Sequence, residues 1–250
     1  IKQAVPGVSA DAGAEWNAED LVIIIGAGVA GISAAYTLEY LKVPYILLEA
    51  APFHGGRVRR DEEFLGNGVS LDIGAEWIHT DKTILKDLLL MPEDLEEIDQ
   101  FIADQTIVFQ PQTYGYLTCG HLFRMDFLKY SYKEYKFKES SWSEYFDQLF
   151  VRHIKKNMVY NAVVQEIDYC GETIHVTCRN GKKYEGAKII CAVPFAILNG
   201  GDIKFIPEMP KSKQDLIEEN WVQPGFKFAI EFKEKFYLDH SSDIGFLRSL

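Results

Sequence analysis

The residues with the most chemical meaning come early. Gly26-Ala27-Gly28-Val29-Ala30-Gly31 has glycines in GxGxxG spacing, directly after the apolar run Leu21–Ile25 and ahead of the helical stretch Ile32–Leu41. A buried strand, a glycine turn and a helix start are the context that spacing requires. Gly26 permits the tight turn, Gly28 lets the backbone approach a pyrophosphate, and Gly31 lets the helix pack closely on the sheet. The helix N-terminus, where Ala30 lies on the first turn, offers N–H groups and a partial positive charge to phosphate. Glu49, at the end of the second apolar run Tyr45–Leu48, is placed to accept hydrogen bonds from a ribose. Both nicotinamide and flavin dinucleotides use this cradle.

Just beyond Glu49 lies Phe53-His54-Gly55-Gly56-Arg57-Val58. An arginine fork suits phosphate better than a lysine does. Further on, Leu71-Asp72-Ile73-Gly74-Ala75-Glu76-Trp77-Ile78-His79 joins a Gly-Ala pair to a Trp-Ile-His triplet. Late in the chain, Lys227 sits inside the apolar stretch Gly225–Phe232, whereas Lys233 and Lys235 lie outside it. The four cysteines, Cys119, Cys170, Cys178 and Cys191, form no CxxC pair and no zinc spacing, so no metal site is expected.

These segments, taken in order, resemble the flavin-containing amine oxidase family, which includes monoamine oxidases, polyamine oxidases and related histone demethylases. The resemblance implies FAD rather than NAD, with Gly56 and Arg57 beside its diphosphate. It puts Gly74, Ala75, Glu76 and Trp77 at the flavin ring and makes His79 a substrate contact. In Asn161–Ile167 it gives the backbone of Val164 to the adenine. Ile189–Pro194 is similar to the strand that returns to the sheet near the flavin. Lys227 matches the lysine that holds a water at flavin N5, which makes it the candidate catalytic residue. No cysteine stands where the family attaches flavin covalently, so the FAD is expected to be non-covalent.

The reaction so implied is oxidation of an amine, polyamine-type ahead of monoamine-type, to an imine, with O2 taking the electrons to give H2O2. The amine must be neutral to lose hydride, and a free alkyl amine has a pKa of about 10.4, so a dehydrated site that disfavours the cation would help. Family members extend past the lysine strand. There they carry substrate-flanking aromatics and a glycine segment that returns to the FAD, so a partner chain or further segment is expected to complete the fold. Two other readings stay open: a non-catalytic, truncated amine-oxidase-like subunit kept for structure or interaction, and another FAD oxidoreductase of the superfamily, such as an L-amino-acid oxidase.

The elements that must position these residues follow from hydrophobic pattern. The chain has 250 residues, 47% hydrophobic and 25% charged, which is ordinary globular composition. Acidic residues number 37 against 26 basic, for a net charge of −11, which disfavours nucleic acid and would attract cations. No apolar run is long enough to span a bilayer. Unpaired thiols and the lack of an Asn-x-Ser/Thr sequon point to an intracellular protein, and Ile1 rather than Met at the start implies a missing upstream piece.

The fold class expected is α/β. A Rossmann-like doubly wound sheet with a β-meander binds FAD, and an α+β substrate domain accompanies it. After a tail over residues 1–19, residues 20–78 and 158–200 make the FAD domain, and 79–157 with 201–250 the substrate domain. Helices are expected over Thr83–Leu90, Glu93–Ala103 and Ser212–Trp221, and one opened by the capping box Ser141-x-x-Glu144. The meander is expected as Met158–Tyr169, Thr173–Cys178 and Lys182–Tyr184, with a turn at Asn180–Gly181. Short strands are expected at Thr106–Phe109, Tyr116–Met125, Lys188–Val193, Lys227–Phe232 and Ile244–Leu247.

Overall fold

A computed structural model of the chain describes residues 20–61, 71–78, 83–109, 134–137 and 140–220. Strand β1 (Val22–Ile25) leads through the glycine turn into helix α1 (Val29–Tyr40), then strand β2 (Tyr45–Leu48). Short strands β3 (Arg60–Asp61), β4 (Leu71–Asp72) and β5 (Trp77–Ile78) follow. Next come α2 (Ile84–Asp87), α3 (Pro92–Gln105), β6 (Thr106–Phe109), β7 (Glu134–Phe137) and α4 (Trp142–Phe146). A π-helical turn, Asp147–Val151, runs on into α5 (Arg152–Ile154), a 3₁₀ turn (Lys155–Asn157) and β8 (Met158–Val159). The chain continues through β9 (Val164–Asp168), β10 (Ile174–Cys178), β11 (Lys183–Gly186) and β12 (Lys188–Cys191). It then forms α6 (Phe195–Asn199), β13 (Lys204–Ile206) and α7 (Lys211–Glu219).

Four strands form a parallel sheet in the order β12-β1-β2-β8. Its central strands are buried along their whole length, the property that lets them be continuously apolar. Alternate side chains serve two cores. Val22, Ile24, Tyr45 and Leu47 pack against Ile32, Ala35 and Tyr36 of α1 and against Tyr145, Phe146 and Phe150. Leu21, Ile23, Ile25, Ile46 and Leu48 pack the other way, onto Val164, Ile167, Val176, Cys178 and Tyr184 of a second sheet. That sheet has the order β11-β10-β9-β13, antiparallel except where β13 runs parallel to β9. The molecule is therefore layered as helices, parallel sheet, then mixed sheet. A smaller antiparallel sheet, β5-β7-β6, and the two-stranded β3-β4 lie beside these layers.

The expected α/β class, with a Rossmann-like parallel sheet, is the fold observed. One expected strand divides. Met158–Tyr169 is not a single meander strand, because Met158–Val159 joins the parallel sheet and Val164–Asp168 joins the mixed one. Between them Asn161 takes a left-handed φ of 56°. The Asn161 and Ala162 N–H groups bond the carbonyls of Ala51 and Glu49, which turns the chain across the end of β2. The helix expected over Thr83–Leu90 contracts to Ile84–Asp87, and α6, β13 and the π turn were not anticipated. The capping box is half realised: Ser141 Oγ accepts from the Glu144 N–H at 3.1 Å, while the Glu144 carboxylate accepts from Arg60 at 2.8 Å. The strands expected at Tyr116–Met125, Lys227–Phe232 and Ile244–Leu247, and the tail, lie outside the described residues. Among the described residues no helix is long and apolar enough to cross a membrane.

Burial sets an alkaline limit on this core. Desolvation pushes the Tyr36 phenol up to about 12, helped by its hydrogen bond to Asp94 and opposed by the N–H groups of Met91 and Leu90. Burial raises Tyr45 and Tyr145 as well. Each phenol holds its proton in the folded chain at a pH where the unfolded chain, with a tyrosine pKa of about 10, has lost it. The stability Tyr36 contributes is thus complete below about pH 10 and is lost as pH rises through about 12, and the more deeply buried Tyr45 and Tyr145 carry the loss further in the same direction. The urea midpoint is expected to fall steadily over that interval, and a flat midpoint would contradict it.

Candidate cofactor site

The site lies at the C-terminal ends of β1 and β2, where ligands of open α/β sheets bind. Gly26 has φ of 96°, and its N–H bonds the Leu48 carbonyl at 2.8 Å. A methyl group there would come within 3.0 Å of the Ala192 carbonyl oxygen, just after β12. The segment Ile189–Pro194 thus returns beside the glycine turn. Gly28 is the N-cap of α1, and no side chain caps it. A Cβ on Gly28 would meet no atom of the described residues within 4 Å, so among them the cradle is open at this point. The first-turn N–H groups of α1 have no intrahelical acceptors. Ala30 is exposed on that turn.

Glu49 sits beneath the turn. Its Oε2 accepts from the Ala27 N–H at 2.6 Å and its Oε1 from the Ala51 N–H at 2.8 Å. Each carboxylate oxygen keeps a further lone pair with which to accept a hydroxyl. The Ala162 N–H bonds the Glu49 carbonyl at 2.8 Å, which brings β9 and the buried Val164 to the same edge.

The second and third motifs are stitched to the first. The Gly55 N–H bonds the Ala27 carbonyl at 2.8 Å, and Gly55 bridges Gly28. Gly56, at φ of 59°, packs so that a Cβ would lie 3.2 Å from Gly28 Cα. The Arg57 side chain is exposed, while its carbonyl accepts from the Ala75 N–H at 3.1 Å. A Cβ on Gly74 would stand 1.8 Å from that same carbonyl oxygen, so only glycine fits. Ala75 is exposed and Glu76 half-buried beside it, and Trp77 begins β5, paired with Lys136. Gly26, Gly28, Ala30, Gly31, Glu49, Gly56, Arg57, Gly74 and Ala75 are therefore one constellation. His79 and Lys227 lie outside the described residues.

The residues present fit a dinucleotide diphosphate: an open glycine face, an uncapped helix start and an anchored carboxylate. Five further side chains, His54, Tyr160, Asp147, Arg59 and Phe53, stand beside the site, and the sequence assigned none of them a role. His54 Nδ1 lies 2.7 Å from Tyr160 Oη, and its Nε2 lies 2.6 Å from Asp147 Oδ1. These partners stand 106 and 93 residues away in the chain, beyond the reach of any local pattern. Burial raises the Tyr160 phenol, with the charges of Asp147 and Glu49 adding to it. Arg59 stacks on Phe53, 4.2 Å from the ring centroid, on the rim beside the Gly-Gly turn.

The profile of a family described as flavin containing amine oxidoreductase matches residues 92–249, and that of an NAD(P)-binding Rossmann-like domain matches residues 24–89. The chain belongs to the flavin containing amine oxidoreductase family. Membership implies a flavin cofactor. Lysine-specific histone demethylase 2 of Homo sapiens is 26% identical over 291 residues, which cover 86% of this chain and 35% of that protein. Polyamine oxidase 2 of Arabidopsis thaliana is 24% identical over 297 residues, covering 86% of this chain and 59% of that one. The chain thus spans about a third of the demethylase's length and under two thirds of the oxidase's. Among solved structures, a redesigned putrescine oxidase aligns with a TM-score of 0.56 at 13% identity, over 79% of this chain and 62% of its own. That likeness shows that the amine-oxidoreductase fold is shared.

Proposed function

We propose that the chain binds FAD non-covalently and takes part in oxidising an amine, of polyamine type ahead of monoamine type. The observation that carries this reading is the open Gly28 face. It lies between an uncapped helix N-terminus and the Gly55-Gly56-Arg57 turn, with Glu49 anchored below. Flavin, when bound, supplies a two-electron acceptor, so that the amine becomes an imine and O2, the terminal oxidant, becomes H2O2. This chain's residues bind and orient it. The α1 N–H groups and Arg57 hold the diphosphate, Glu49 the ribose hydroxyls, and the Val164 backbone the adenine. The Gly74–Trp77 segment would meet the ring. By the family resemblance, Lys227 would be the residue to hold a water for the reaction and His79 the one to meet the substrate. The net charge of −11 favours a cationic substrate. Conserving charge on the amine would oppose hydride loss, so a dry pocket must favour the neutral form.

The test is the visible absorption spectrum of the purified full chain, with identification of any flavin released on unfolding. Bound FAD and amine-dependent peroxide formation are expected, faster with a polyamine than with a peptide bearing methylated lysine. A faster reaction with the peptide would move the substrate to the demethylase type. A colourless chain that cannot be reconstituted would leave a non-catalytic, amine-oxidase-like subunit. In an active protein, Lys227→Met is expected to slow flavin reoxidation at least about tenfold without releasing FAD. Unchanged turnover would remove Lys227 from the reaction.

A further inference from the structure

His54 precedes the Gly-Gly turn, and its ring bridges two distant elements. On one side Nε2 meets Asp147, the first residue of the π turn; on the other Nδ1 meets Tyr160, just past β8. A carboxylate can only accept, so in the neutral ring the proton sits on Nε2 and points at Asp147. Nδ1 is then an acceptor, and the Tyr160 hydroxyl donates to it. Among the described residues, the other acceptor within that hydroxyl's reach is Met158 Sδ, 3.8 Å away and weak. In the neutral ring each proton of the chain Tyr160, His54, Asp147 thus has one assignment.

The surroundings show that this arrangement is built rather than incidental. Asp147 reaches His54 from a π turn, in which its own carbonyl accepts from the Arg152 N–H five residues on. Such turns interrupt α-helices rarely and recur at functional sites. His54 is followed by two left-handed glycines, and Tyr160 by left-handed Asn161. Asn161 and Ala162 in turn bond the carbonyls of Ala51 and Glu49. The three side chains therefore join the helical segment, the Gly-Gly-Arg turn and the Glu49 edge.

We propose that Asp147, His54 and Tyr160 form a hydrogen-bonded relay that positions the Gly55–Arg57 turn over Gly28, and so sets the affinity of the dinucleotide site from outside it. His54 is a positioning residue: it acts through Gly55, whose N–H bonds Ala27, and Val58, whose N–H bonds Gly55. The relay links the helical segment to the cofactor, because a shift of the π turn moves Asp147 and with it the turn. The proposal rests on the dinucleotide reading for its effect on FAD, but its geometry can be tested without FAD.

The experiment uses the full chain without added cofactor, then with FAD. Histidine-ring NMR of the wild type, read at a pH where the ring is neutral, is expected to show His54 as the Nε2–H tautomer. Asp147→Ala and His54→Ala are each expected to speed amide exchange at Gly55 and Val58, and to weaken FAD binding, by about tenfold. The double variant should be no worse than either single one, since the relay acts as a unit. Asp147→Asn, whose amide oxygen can still accept, should recover most of the protection. Unchanged exchange at Gly55 in the single variants, losses that simply add in the double variant, or an Nδ1–H tautomer would each overturn the relay. If the wild type binds no FAD, the functional reading fails, and the exchange and tautomer results still decide the relay.

Discussion

Gly31→Ala is expected to abolish FAD binding and to lower folding stability by about 3 kcal/mol. A Cβ at position 31 would stand 1.8 Å from the Gly26 carbonyl oxygen and 3.0 Å from its carbon, and both are backbone atoms. Neither side can yield cheaply. Gly26 is held by the Leu48 carbonyl and lies under Ala192, and α1 is packed by Ile32, Ala35 and Tyr36 into the main core. The methyl group must therefore lift the helix off the sheet or distort the turn, and either change displaces the N–H groups at the start of α1, where the proposed function puts the diphosphate. Gly28→Ala supplies the contrast. Its Cβ meets no atom of the described residues within 4 Å, and its φ of −71° with ψ of 178° suits any residue. The apo fold should be unaffected, and only the dinucleotide should be refused. Thermal midpoints of the apo forms and FAD titrations of both variants check the pair. Normal FAD binding by Gly28→Ala would mean that the diphosphate does not approach that face.

The second large effect is expected at Asp94. This carboxylate is fully buried and accepts from the Tyr36 hydroxyl at 2.6 Å. Arg152 also donates to it, and His153 Nε2 lies 3.1 Å from both its oxygens. Tyr36 Oη in turn accepts from the N–H groups of Leu90 at 3.1 Å and Met91 at 2.9 Å. Helices α1, α3 and α5 are thus locked through one charge. Asp94→Ala takes away the acceptor to which three side chains are turned, and removal of one member of a buried ionic cluster costs about 3–5 kcal/mol. Because Arg152 is about a third exposed, water screens part of the loss, so about 3 kcal/mol is expected. Asp94→Asn, which keeps one acceptor oxygen, should lose roughly half as much. Urea midpoints at an unchanged m-value measure both losses. Equal stability of Asp94→Ala and wild type would show that the cluster contributes nothing. Since α1 carries the cradle at its other end, FAD affinity should fall in parallel with stability.

What the sequence by itself determined is confined to short range. A glycine spacing is legible because backbone sterics act between near neighbours. Gly26 must turn, Gly31 must lie against Gly26, and an apolar run such as Leu21–Ile25 must be covered on both faces. The Ser141 cap is legible for the same reason, its partner being three residues away. The family likeness added order to these fragments, because the Gly-Gly-Arg and Gly-Ala segments follow in the order the resemblance implies. The structure then brought them into contact through the Arg57 carbonyl, which receives Ala75 and leaves no room for a side chain at Gly74.

Only tertiary structure decided the rest. Nothing local distinguishes Met158–Val159 from Val164–Asp168 as strands; what parts them is the hydrogen bonding of Asn161 and Ala162 to the end of β2, a contact across the fold. Asp94 reads as one more acid at a helix start until Tyr36 and Arg152 close over it. His54 reads as a spacer until the π turn presents Asp147 and the end of β8 presents Tyr160. A polar side chain has a role only once its partner is known. Those partners are set by how layers stack, and stacking is decided by the summed burial of many apolar residues rather than by any motif.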